Sequence, residues 1–141
     1  MASAKLDLVR SVLAGWERGE LRSVDWADPE IEFVFADGPD PGSWSGHAGL
    51  ADAFRDWLSA FAGFRIRADE FRDLDDARVL VLTRAGGHGK ASGLDVGQAE
   101  AKLAHVFHVR GERVTRLVVY FDRERAFADL GLTAEGDPTP E

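Results

Sequence analysis

The chain has 141 residues, which is one domain by size, and its 45% hydrophobic and 30% charged residues exclude a disordered chain. Seventeen Lys and Arg against 25 Asp and Glu leave a net charge of -8, which argues against nucleic acid as a partner because phosphate binding needs a basic surface. No cysteine is present, so disulfides, thiolate metal sites and a cysteine nucleophile are excluded. No apolar run reaches the roughly 20 residues of a membrane span, so no membrane partner is expected. Met1 to Lys5 leads into no apolar signal core, and Asp7 interrupts early, so the expected location is cytoplasmic.

An amphipathic helix comes first. Ser3 suits its N-cap, and Leu6, Val9, Leu13 and Trp16 recur at three- and four-residue steps up to a stop at Gly19. Leu21 to Trp26 reads as a short second helix ended by Asp28-Pro29. The period then falls to two, with Ile31, Phe33 and Phe35 on one face of a strand and Glu32 and Val34 on the other. Asp37 to Gly42 is a loop by composition. A helix from Gly46 to Ala62 follows, its stripe made of Leu50, Ala53, Phe54, Trp57, Leu58 and Phe61. Strands are expected at Phe64–Leu74 and Arg78–Arg84, the second apolar on both faces. Gly86 to Gly93 reads as a flexible connection. Gln98–Val109 and Val114–Phe121 are strands joined by a hairpin turn, and Glu124–Leu130 is a short closing helix with Asp122 as its N-cap.

Strands bunched after helices imply an α+β fold, with helices packed on one face of a curved antiparallel sheet. A cone closed by helices encloses an apolar pocket, where a ligand would sit. Residues 1–132 form the single domain. Residues 133–141, with two prolines and no large apolar side chain, form a disordered C-terminal tail.

Two polar residues fall on apolar faces. Ala99, Ala101, Leu103, His105, Phe107 and Val109 share one strand face, and His105 is its one titratable group. Asp37 continues the inward parity of Ile31, Phe33 and Phe35. A carboxylate and an imidazole converging on an apolar cavity are suited to proton transfer. The first takes a proton from carbon next to a carbonyl, and the second donates to the developing enolate oxygen. The structural alternatives stay open: Asp37-Gly38 is a turn pair, and His105 can be a satisfied core histidine. Trp16, Phe35, Phe54, Trp57, Phe107 and Phe121 line the pocket or simply fill the core. His47 caps its helix or stands at the cavity mouth. His105 and His108 are not a metal pair, because residues three apart in a strand point to opposite faces, and no metal or cofactor is expected. Gly86-Gly87-His88-Gly89-Lys90 lacks the spacing of a phosphate loop.

Two segments carry a resemblance. They are Trp44-Ser-Gly-His-Ala-Gly-Leu-Ala-Asp-Ala-Phe54 and the run from Ala104-His-Val-Phe-His-Val through Val118-Val-Tyr-Phe-Asp to Leu132. With the element order, they resemble the SnoaL-like branch of the nuclear transport factor 2-like superfamily over about residues 5–132. The resemblance implies a cone-shaped, cystatin-like α+β domain, dimeric through the outer sheet face. Ketosteroid isomerase and polyketide cyclases belong to the same group. By resemblance Asp37 falls at the isomerase's base and His105 at its protonated Asp. The isomerase's tyrosine is missing near Val12 and Leu13, and the cyclases' Asp near the last strand has no counterpart but Asp122.

Two functions follow as expectations. One is a cofactor-independent isomerase, cyclase or lyase acting by acid–base chemistry on a small apolar carbonyl compound, with Asp37 and His105 as its catalytic pair. The other is a non-catalytic ligand-binding or dimerisation module of the same fold. A homodimer is expected from Val106, His108, Val118 and Tyr120, read as an exposed apolar outer face.

Overall fold

The computed structural model describes residues 4–20, 24–37, 41–59, 61–89 and 101–131. In chain order its elements are α1 (Ala4–Glu17), β1 (Ala27–Phe35), β2 (Gly42–Ser45), α2 (Gly46–Ser59), β3 (Phe61–Asp73), β4 (Arg78–Gly89), β5 (Ala101–Arg110), β6 (Arg113–Tyr120) and α3 (Arg123–Leu130). The stripe of α1 buries Val9, Val12, Leu13 and Trp16. That helix lies against β3 and β4, while α2 lies against β1, β2 and β3. Gly46 takes φ +78° at the junction of β2 and α2, a backbone turn that a side chain would strain.

The six strands form one curved, open sheet in the order β2-β1-β6-β5-β4-β3. The sheet is mixed rather than wholly antiparallel, because β1 runs parallel to β6. Those two strands come from opposite ends of the fold, so no hairpin constrains them to run antiparallel. The inner face is built in cross-strand rows. Val79, Phe107, Leu117, Phe33 and Trp44 pair in one row, and Val81, His105, Val119 and Phe35 in the next. Thr83 and Leu103 pair one step further on. The α+β architecture and the inward faces of β1, β5 and β6 are those the alternation predicts.

Several expectations need correction. Among the residues predicted as a second helix, Val24–Trp26 form a turn, and Leu21–Ser23 lie outside the described residues. β1 starts at Ala27 and runs through Pro29. The pairing with β6 slips between Ala27 and Glu32, so the missing proline N–H falls in a bulge and breaks no ladder bond. The expected loop Asp37 to Gly42 leads into an edge strand that the alternation did not predict, β2, paired antiparallel to β1. The middle helix stops at Ser59, and Phe61 opens β3 instead of extending the helical stripe. The predicted flexible connection is in its first half a strand. Gly86 to Gly89 continue β4 opposite β3, and the ladder partner overrides the low strand propensity of glycine. Lys90 to Glu100 and the tail 133–141 lie outside the described residues.

The outer sheet face differs most from expectation. Val106, Val118 and Tyr120, read as an exposed dimer surface, are buried within one chain. They form a second core with Leu80, Leu82, Ala104 and the α3 residues Ala126 and Phe127. The adjoining row stays polar: Arg78, His108, Arg116 and Glu32 pair across four strands, and Arg116 meets Glu32 at 3.4 Å.

Candidate functional site

His105 lies inward on β5, as its parity predicts, and is 4% exposed. Its Nε2 meets Thr83 Oγ1 of the neighbouring strand at 3.0 Å, while its Nδ1 is buried without a partner. Burial pushes the imidazole down to about 3, and the positive charge of Arg123 adds to the push. The ring is therefore neutral at physiological pH. Arg123 reaches from the start of α3 to the middle of β4 and the beginning of β5. It donates to the carbonyls of Thr83 (2.7 Å) and Leu103 (3.2 Å) and to Asp69 Oδ2 (3.1 Å).

Asp37 stands two residues past Phe35, where β1 ends. Its carboxylate reaches across to the chain just past β6. Oδ1 accepts the Phe121 backbone N–H at 2.6 Å, tying the end of β1 to the end of β6, and Oδ2 is buried without a partner. Phe35, Val119 and His105 form one row across β1, β6 and β5. Two strand spacings and a two-residue step put the Asp37 and His105 backbones about 12 Å apart on the inner face.

The aromatic residues form a continuous wall. Trp16 is 4% exposed and lies 5.6 Å from the His105 ring, 5.8 Å from Phe54 and 5.9 Å from Phe107, by ring centroids. Its indole Nε1 is a third buried polar atom without a partner. Phe35 and Phe121, both half-buried, meet at 5.5 Å at the Asp37 end. Phe107 is fully buried in the core. The Trp57 side chain lies outside the described residues. His47, read as a helix cap or a residue at the cavity mouth, donates its Nε2–H to the Ala27 carbonyl at 2.8 Å and pins the start of α2 to β1. Trp44 packs from β2 against Phe33 at 6.0 Å and Phe35 at 5.4 Å.

Sequence reasoning missed Thr83 and Arg123. Thr83 was legible in principle, as the one hydroxyl at the inward parity of Val79 and Val81. Arg123 was not, because its partners lie 20 to 54 residues away. On the far side of Trp16, a cleft of about 330 Å3 opens between α1, the Trp26 turn and Glu112 of the β5–β6 turn. Among the described residues no group of three or more His, Asp or Glu could hold a metal ion, and no helix is long and apolar enough to cross a membrane.

No known family profile matches the chain, and no curated protein is similar to it. Solved structures are similar in fold. TerC crystallised with polyporic acid superposes with a TM-score of 0.71 at 22% identity, over 91% of this chain and 98% of that one. A nuclear transport factor 2-like protein of unknown function from Burkholderia pseudomallei gives 0.70 at 22% identity, over 90% and 97%. A candidate polyketide cyclase from Xanthomonas campestris gives 0.66 at 18% identity, over 90% and 96%. The chain has the nuclear transport factor 2-like fold.

Proposed function

We propose that this protein binds a small apolar carbonyl compound against the inner sheet face and moves a proton on it, without a cofactor. Asp37 is the base. Its Oδ1 is held by the Phe121 N–H, and the free lone pairs of Oδ2 take a proton from carbon next to the carbonyl. The C–H electrons become the enolate double bond, and the carbonyl electrons move to oxygen. Neutral His105 stabilises that oxygen by a hydrogen bond, not by giving up a proton. Where the compound carries a double bond between the β and γ carbons, the anion is a dienolate, and Asp37 returns the proton to the γ carbon as the electrons on oxygen re-form the carbonyl.

One observation carries this reading. Asp37 Oδ2 and His105 Nδ1 are buried polar atoms that no protein group satisfies, on one inner face. Buried polar groups are nearly always paired, and the exceptions call for an explanation such as a ligand. The similarity in fold to TerC, crystallised with polyporic acid, and to a candidate polyketide cyclase supports the substrate class. A non-catalytic binding module is the second reading, favoured by the Asp37–Phe121 tie, which gives Asp37 a structural task of its own. A homodimer through the outer sheet face would use the polar row around His108 that α3 leaves open, and the proposed location is the cytoplasm.

The test is a thermal-shift screen of apolar ketones, β,γ-unsaturated ones included, on the wild type and Asp37→Asn, followed by product analysis. A native-state ligand raises the melting temperature of both proteins. Conversion by the wild type and not by Asp37→Asn supports the enzyme. A compound bound equally by both and converted by neither supports the binding module.

A further inference from the structure

We infer that Trp16 is a second hydrogen-bond donor of this site, that Thr83 fixes the tautomer of His105 so that its Nδ1–H is the first, and that the two N–H groups together receive a neutral carbonyl oxygen. The inference deepens the reading of the inner face given above and rests on it.

Thr83 is fully buried, and its hydroxyl has one hydrogen to place. The His105 Nε2 at 3.0 Å is its hydrogen-bond partner among the described residues. Were that nitrogen to carry the ring hydrogen, the hydroxyl hydrogen would be buried with no acceptor, which is the costly arrangement. The hydroxyl therefore donates to Nε2, and a neutral imidazole then carries its hydrogen on Nδ1. Thr83 acts through His105 and is a positioning residue.

That leaves two N–H donors, His105 Nδ1 and Trp16 Nε1, both buried and both without an acceptor. Their rings lie 5.6 Å apart, inclined at 57°. One oxygen accepting both at about 2.9 Å needs the nitrogens within about 5.8 Å of each other, which rings at this separation allow. The cleft beside α1 does not use the Trp16 donor, because Nε1 is closed to solvent while the cleft is open. Two donors and no acceptor select the ligand. An alcohol or amine brings a hydrogen to a place that cannot take it. A carboxylate brings a charge into an aromatic wall that already has the Asp37 carboxylate on its face, while Arg123 is engaged with Asp69 and two carbonyls. A ketone or aldehyde oxygen fits.

The probes are 2-acetylnaphthalene and its oxygen-free isostere 2-isopropenylnaphthalene, with protein labelled with 15N at histidine and tryptophan. In the free wild type, the expected result is a proton on His105 Nδ1 and a bare Nε2. Thr83→Val should shift the ring toward the other tautomer with the fold intact, and Thr83→Ser should restore the wild-type signature. A wild-type ring protonated on Nε2 overturns the inference. The ketone should bind the wild type about tenfold tighter than the hydrocarbon, as one or two net hydrogen bonds give. Trp16→Phe should lose most of that preference and leave the hydrocarbon within about twofold. Equal losses for both compounds mean a packing role alone and overturn the inference. The Trp16 indole signal of the wild type serves if that variant fails to fold. It should move with bound ketone and not with bound hydrocarbon, and a signal that stays in place under ketone overturns the inference. Equal binding of the two probes overturns the two-donor site and leaves the ligand-binding reading standing. Binding of neither overturns both.

Discussion

A histidine kept neutral by burial couples the stability of this chain to pH. The folded His105 ring protonates only at about 3, against an ordinary value of 6.5. Between these values the unfolded chain binds a proton that the folded chain does not. The contribution of the neutral ring is therefore complete above about pH 6.5 and is lost as pH falls, at about 1.4 kcal/mol per unit. From pH 7 to pH 5 the wild type should lose about 2 kcal/mol more than His105→Gln, measured by urea unfolding at both pH values. His108, which burial also pushes down, is common to both proteins and cancels. Parallel acid limbs would show that His105 is not buried neutral. Asp37 separates two roles in the same assay. Asp37→Asn keeps an oxygen for the Phe121 N–H and should lose activity with little loss of stability. Asp37→Ala removes that charge-assisted bond and should cost about 2 kcal/mol. Both residues were legible in the sequence because strand parity is local information. Thr83 shares that parity, but its pairing with His105 was not legible, since the cross-strand register joins residues 22 apart. Nor was the Asp37–Phe121 tie, which joins residues 84 apart.

At the scale of elements, the signals confined to one helix were read best, although the short helix expected at Leu21–Trp26 gave a turn at Val24–Trp26 and Phe61 fell in β3. The stripe of α1 and the start of α2 are written in three- and four-residue spacings, and the cap of α3 in a single side chain. Asp122 Oδ1 accepts the Glu124 N–H at 2.9 Å, and Gly131 closes the helix in the left-handed region at φ +72°. By contrast β2, the early start of β1 and the glycine end of β4 exist because a partner strand completes their ladders. Nothing within the segments themselves announces that partner. Because α3 has only eight residues and would be marginal alone, its cap matters. Asp122→Ala should lower the stability of the whole domain by about 1 kcal/mol, read as a lower urea midpoint at unchanged slope. A fall in slope instead would mean that α3 unfolds separately.

At the scale of the molecule, the sheet separates two cores, and α3 makes the second one. The expectation of an exposed apolar outer face failed because alternation shows which residues share a face and not what covers them. Val106, Val118 and Tyr120 belong together as predicted, yet a helix from the same chain supplies the cover. Phe127 is the central side chain of that cover. It is 7% exposed, packs into the outer core, and has the Arg72 guanidinium 5.3 Å over its ring. The cation stays half in contact with Glu70, so the contact adds on the order of 1 kcal/mol to the burial. Placing a carboxylate there reverses both effects, because it removes the ring and buries an acid among Leu80, Val106 and Val118. Phe127→Asp should release α3 from the sheet and bare a contiguous apolar face of the kind that drives association. The expected outcome is dye binding to exposed apolar surface and a larger mass by light scattering than the wild type, with the inner face still reporting a buried Trp16 by its fluorescence. An unchanged mass and no dye binding would show that the outer core holds without Phe127. The same scattering measurement on the wild type tests the homodimer. A wild type that scatters as a monomer at micromolar concentration overturns the homodimer.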